Sequence, residues 1–155
     1  MVELWTHREV ARFMEEFGPR TASEVVDWLP GAIAAHEDEP LYGGWALARL
    51  DTGEVVGWIG FGPDRRQHVG DIDFAYIIAS TQRGNGFASE ALAAVVEYCF
   101  GELGVSSVWG ECHPDNSASA RVMEKAGLVF IGEVDGQHRY RLAWGERPAR
   151  ANARA

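Results

Sequence analysis

A chain of 155 residues, 46% hydrophobic and with six tryptophans, is long enough to bury one continuous core and reads as a single domain. Its formal charge is −9, and −11 over residues 1–144, which excludes nucleic acid as an expected partner; cationic substrates and a plain solubilising surface both agree with it. No run approaches the ~18–20 apolar residues of a membrane span and no signal-peptide pattern opens the chain, so the expected location is the cytoplasm, away from membranes.

In chain order, ELWTHREVARFMEEF (3–17) places Leu4, Val10, Phe13, Met14 and Phe17 at helical spacing, and Gly18-Pro19 ends that helix. Thr21-Ala-Ser-Glu24 has the spacing of a capping box and opens a second helix through Val25, Val26, Trp28 and Leu29. Pro30 is expected to end or kink it unless the continuation repairs the break, and the acidic turn HEDEP follows. WALARL and EVVGWIGF, joined by Asp51-Thr52-Gly53, predict a β-hairpin, and PDRRQH a polar connection. VGDIDFAYII (69–78) alternates Ile72, Phe74 and Tyr76 against Asp71, Asp73 and Ala75 before turning continuously apolar, as a strand does when it enters a buried centre.

After QRGNG, an apolar stripe from Phe87 to Phe100 predicts a helix stopped by Gly101 and Gly104. VSSVWGEC (105–112) reads as a strand, and residues 116–127 as a short helix closed by Gly127. LVFIGEV and QHRYRLAW form a last hairpin through Asp135-Gly136. One domain over residues 1–145 and a disordered Ala/Arg-rich tail over 146–155 complete the organisation. Cys99 and Cys112 lack CxxC spacing and read as buried apolar residues in a reducing compartment. The five histidines form no ligand spacing, so no metal site is expected.

Arg83-Gly84-Asn85-Gly86-Phe87-Ala88 stands between a strand and a helix start, where unpaired N–H groups and about half a positive charge favour an anion. The glycines admit conformations barred to other residues and let a diphosphate approach. Three readings compete: a tight turn only, a dinucleotide site, or a coenzyme A diphosphate site. The dinucleotide pattern has Ser89 at its third glycine and no acidic residue on a following strand, and no Walker Gly-Lys-Ser/Thr occurs.

Residues 83–88 match R-x-x-G-x-A, and HPDNSASARVMEKAGL (113–128) matches N-x-x-S-x-R-V-x-E-K-x-G-[FL]. With the two so spaced, the chain resembles the GNAT acyltransferase superfamily, in its RimJ/RimL-like N-acetyltransferase branch. The resemblance implies an α/β GNAT fold: a mixed central sheet flanked by helices, whose fourth and fifth strands (here 70–78 and 105–112) splay into a V-shaped slot. It implies acetyl-CoA as acyl donor, held through the backbone of Tyr76, Ile77 and Ile78, through the loop Arg83, Gly84, Asn85, Gly86, Phe87 and Ala88, and through Asn116 and Ser119. Asn116 would touch the pantetheine arm, though a helix N-cap is the competing role. Ser119 would lie near the thioester sulfur and assist the leaving thiolate; as a bare sequence feature it is a tolerated helix residue.

The implied reaction is attack of a neutral primary amine on the thioester through a tetrahedral intermediate, the acceptor being a protein N-terminal α-amine or a small-molecule amine. Asp73 and Glu111 are the candidate bases, against the alternative that they are solvated edge charges; Asp71 shares the face of Asp73. His113 reads first as part of a loop, and the Tyr76 ring as packing. A non-catalytic acyl-CoA sensor or interaction module, and transfer of a larger acyl group, are the alternatives. Relatives begin with a strand before the segment matched here by Val10-Ala-Arg-Phe13, so a first strand is expected to be missing, leaving a sheet edge open to homodimer formation. Relatives also carry a longer last hairpin.

Overall fold

The computed structural model describes residues 21–38, 41–63 and 71–146. The helix expected at residues 3–17, the absent first strand, the connection over 64–68 and the tail beyond 146 lie outside them.

Helix α1, Ala22–Asp38, begins with the reciprocal bonds of a capping box: Thr21 N–H donates to Glu24 Oε2 (2.9 Å) and Glu24 N–H to Thr21 Oγ1 (3.2 Å). Pro30 does not end this helix, and His36, Glu37 and Asp38, expected in a turn, belong to it. A proline here forfeits the bond to the Val26 carbonyl. Val26 and Pro30 are both exposed, so water can take that carbonyl's lone pairs.

The sheet has six strands: β1 Gly43–Ala48, β2 Val55–Pro63, β3 Asp71–Ile78, β4 Ser107–Cys112, β5 Val129–Val134 and β6 Gln137–Ala143. Their spatial order is β1-β2-β3-β4-β6-β5, mixed because β3 and β4 run parallel while the other neighbours are antiparallel. The turns behave as their residues dictate. Gly53 takes φ +72° between β1 and β2, and Asp135 and Gly136 both take positive φ (52° and 74°), as a two-residue hairpin turn requires. Helix α2, Phe87–Gly101, crosses from β3 to β4, and helix α3, Ser117–Lys125, follows β4.

Register fixes two faces. Ile59 and Phe61 of β2, Ile72 and Phe74 of β3, Val108 and Cys112 of β4, and Tyr140 and Leu142 of β6 bury one face against Leu92, Val95 and Cys99 of α2 and Met123 of α3. On the other face Ile77 and Trp58 pack with Val25 and Trp28 of α1. That same face carries Asp71, Asp73, Trp109, Glu111, Arg139 and Arg141 across β3, β4 and β6.

The feature that shapes the site is how little of β3 pairs with β4. Only Asp71↔Ser107, Ile72↔Val108 and Asp73↔Trp109 are in register; beyond them the strands part. The Phe74 ring fills the start of the gap. A β-carbon at Gly110 would collide with that ring and lie 2.8 Å from Met123 Sδ, so glycine at 110 lets both side chains close the apex. Gly110→Ala is therefore expected to destabilise the protein by about 1–3 kcal/mol, the usual cost of overpacking a core. A urea denaturation midpoint equal to the parent's would show that the apex is not tightly packed.

Candidate active site

The split opens at the carboxyl ends of β3 and β4, and a helix N-terminus stands beside each arm. Open α/β sheets bind ligands at such a strand divergence. After β3 the chain makes a 3-10 turn, Ser80–Gln82, then reaches Gly84 and Gly86 with φ +81° and +87°. Gly86 is the N-cap of α2, and among the described residues no side chain caps that helix. A β-carbon at Gly84 or Gly86 would meet no protein atom within 4 Å, so it is backbone conformation, not crowding, that demands glycine there. The uncapped amides at 87–89 and the open space before both glycines fit an anionic group such as a diphosphate.

Neighbouring side chains hold the loop in this shape. Asn85 Nδ2 donates to the Gln82 carbonyl (3.0 Å), and Arg83 Nε to the Ile78 carbonyl (3.3 Å). The β1–β2 turn braces it from outside: Gln82 Nε2 donates to Glu54 Oε1 (3.4 Å), and the Arg49 guanidinium lies 6.0 Å from the Phe87 ring centre.

At the other arm, Asn116 Oδ1 accepts from Ser119 N–H (3.2 Å), so the N-cap role weighed for Asn116 is real. The bond engages only the side-chain oxygen and leaves the Nδ2 donors for a ligand. His113 serves the loop: its Nδ1 accepts from Asp115 N–H (3.1 Å) and its carbonyl from Asn116 N–H (2.8 Å). The Tyr76 ring does more than pack. It lies parallel to Phe74, centroids 6.2 Å apart, and its hydroxyl is 2.7 Å from Ser119 Oγ and 3.3 Å from the Ser119 carbonyl. No sequence spacing announces a bond between residues 43 apart.

The candidate carboxylates sit elsewhere. Asp73 closes the last register pair, and its Oδ1 accepts from Phe74 N–H (2.7 Å), the first amide past the split. Asp71 accepts from Trp109 Nε1 (2.7 Å), spanning the paired stem. Glu111 pairs with Arg139, Oε1 to Nε 2.7 Å, with the two side chains only 20% and 11% exposed. Arg139 and Arg141 also lie over the Trp109 ring, at 4.9 Å and 5.4 Å from its centre. Ser119 and Tyr76 thus lie on the α2/α3 face, while Asp73 and Glu111 lie on the α1 face. The slot connects the two faces.

Burial pushes the Cys99 thiol up to about 12, and burial with the nearby Glu124 charge pushes Cys112 up to about 11. Neither is a thiolate nucleophile near neutral pH. Among the described residues no group of three or more His, Cys, Asp or Glu could hold a metal ion, and no helix is long and apolar enough to cross a membrane. A broad groove of about 470 Å³ between Phe100, Val105, Ser106 and Trp144 lies away from the split, and among the described residues no titratable side chain lines it.

Residues 1–129 match the family model for the acetyltransferase (GNAT) domain. An uncharacterised N-acetyltransferase of Bacillus subtilis, YoaA, is 39% identical over 88 residues, 57% of this chain and 49% of that protein. The chain spans about half the length of the curated relatives it matches first. Among solved structures, aminoglycoside acetyltransferase AAC(6')-Ib in complex with coenzyme A superposes with a TM-score of 0.73 at 19% identity, covering 94% of this chain and 88% of that one. Mycobacterium smegmatis RimJ in complex with CoA-disulfide gives 0.70 at 23%, covering 84% and 66%.

The thiol assignment has a direct check. Native protein at neutral pH is expected to take up almost no iodoacetamide, and protein unfolded in urea to alkylate both cysteines. Rapid labelling of the native fold would restore a cysteine nucleophile to consideration.

Proposed function

We propose that this chain, which belongs to the GNAT acetyltransferase family, moves the acetyl group of acetyl-CoA directly to a primary amine, a protein N-terminal α-amine or the amine of a small molecule. The observation that carries this reading is the parting of β3 and β4 after three register pairs, with the N-termini of α2 and α3 at the open end. On the arm that β4 does not pair, the backbone at Tyr76, Ile77 and Ile78 would meet an extended ligand as an added strand does, with the Ile78 carbonyl shared with Arg83. The amides of Phe87 and Ala88, with Arg83, Gly84, Asn85 and Gly86, would hold the diphosphate, and Asn116 Nδ2 the pantetheine arm.

When bound, acetyl-CoA supplies an activated acyl group; the protein supplies position and charge. Ser119 Oγ, fixed at the start of α3, donates toward the sulfur as negative charge develops there. Asp73 lies at the apex on the α1 face, where it can accept a hydrogen bond from an incoming amine and draw its proton away. Asp73, at the apex with its Oδ1 accepting from Phe74 N–H, carries the base role in this reading, and the Glu111–Arg139 pair shapes the acceptor wall. An α-amine, with pKa near ~7.7–8.0, needs less help from a base than a lysine-like amine at ~10.4. The buried, protonated thiols agree with a route that forms no cysteine thioester.

The decisive assay is thiol release from acetyl-CoA against peptides with free or blocked N-termini, spermidine and aminoglycosides. Release that requires one amine class establishes the activity and its acceptor. Tight acetyl-CoA binding without release would turn the reading to a non-catalytic sensor. Gly86→Val is expected to weaken acetyl-CoA binding by at least about tenfold. The left-handed backbone at 86 costs a β-branched residue about 1–2 kcal/mol, within what a folded domain tolerates. Unchanged affinity in calorimetry would remove the diphosphate from this loop.

A further inference from the structure

Resting on that transferase reading, we infer that Tyr76 is a positioning residue for departure of the thiolate: its hydroxyl donates to Ser119 Oγ and so leaves the Ser119 proton directed at the sulfur. The geometry has three parts. The 2.7 Å separation is within the usual range for a hydroxyl–hydroxyl bond. Ser119 is held from its backbone as well, because its N–H donates to Asn116 Oδ1 (3.2 Å), so rotation about its side-chain bond is the main freedom left to the hydroxyl. Tyr76 is itself immobilised by the parallel Phe74 ring, whose position is set by the apex at Gly110.

Which hydroxyl donates decides what the pair can do. A serine that gave its proton to Tyr76 would have none for a leaving group. Burial raises the Tyr76 pKa well above the ordinary tyrosine value, with the Ser119 bond opposing it. Tyr76 therefore keeps its proton throughout the working range, with two acceptors in reach, Ser119 Oγ at 2.7 Å and the Ser119 carbonyl at 3.3 Å; when the Ser119 proton turns to the sulfur, Oγ is the acceptor that takes the Tyr76 bond. During transfer the C–S bond breaks with its electron pair on sulfur, and Ser119 O–H donates a hydrogen bond to that charge. The proton lost by the amine leaves on the α1 face, toward Asp73 and water. Tyr76 makes Ser119 a better donor because a hydroxyl that accepts a bond donates more strongly.

The test is a cycle of Tyr76→Phe, Ser119→Ala and the double variant, assayed with the best acceptor of the amine panel, with acetyl-CoA affinity and thermal melting measured in parallel. Tyr76→Phe removes one oxygen and keeps the ring. Its kcat is expected to fall roughly fivefold to tenfold, the scale of one hydrogen bond, while KM and Kd for acetyl-CoA stay within about twofold. The double variant is expected to be no slower than Ser119→Ala alone, because Tyr76 acts only through that hydroxyl. An unchanged kcat in Tyr76→Phe, or losses that multiply in the double variant, would overturn the inference even if melting is lowered. A parent protein that binds acetyl-CoA but releases no thiol to any amine or to water would instead overturn the transferase reading, and this role with it.

Discussion

Two parallel strands that stop pairing after three residues create every feature that makes this sheet more than a scaffold. Continuing the β3–β4 ladder would satisfy the amides past Asp73 and leave nowhere for a ligand; ending it exposes backbone groups that must find other partners. The apex shows how this is managed. Phe74 occupies the volume a continued ladder would close, Gly110 yields space to it, and Met123 seals the helix side. Asp73 takes the first stranded amide with its own carboxylate. A candidate base is thus also part of the joint that holds the strands apart, and its carboxylate is oriented by that bond.

Much of this could be read from the residues. Asp135-Gly136 demanded positive φ twice and received it; Thr21 and Glu24 formed the reciprocal cap their spacing implied; and the glycines at 84 and 86 took the left-handed backbone that marks them. These are local properties, in which a residue and its near neighbours contain the cause. Even the split was approachable, through the family resemblance that R-x-x-G-x-A and the Asn116–Leu128 motif carry.

What escaped the sequence is of another kind. Alternation set Asp71 and Asp73 on one face, yet only cross-strand register reveals that Asp71 belongs to Trp109 and Glu111 to Arg139. Tyr76 looked like a packing residue because the partner of its hydroxyl lies on α3, beyond a helix and a strand. Pro30, expected to end or kink its helix unless the continuation repaired the break, lies inside a helix that continues. Its penalty is real, but it falls on a carbonyl whose surroundings are exposed, and helix propensity cannot see solvent.

Charge poses the last question: how a chain of net −9 could hold the proposed diphosphate. Net charge acts at long range, where physiological salt screens it beyond about 8 Å. What an anion would meet at 83–88 is local: an uncapped helix end and consecutive N–H groups beside the positive charge of Arg83, with Glu90 the first acidic residue of the helix. The α1 face carries both signs: Glu111 is paired with Arg139, Asp71 is bound to the Trp109 indole, and Asp73 and Arg141 stand on the same face. In the proposed reading, the anionic donor meets the helix ends and the amine comes from the mixed-charge α1 face. The slot at Asp73 is where the two faces communicate, which is why the geometry of that single joint governs both approaches.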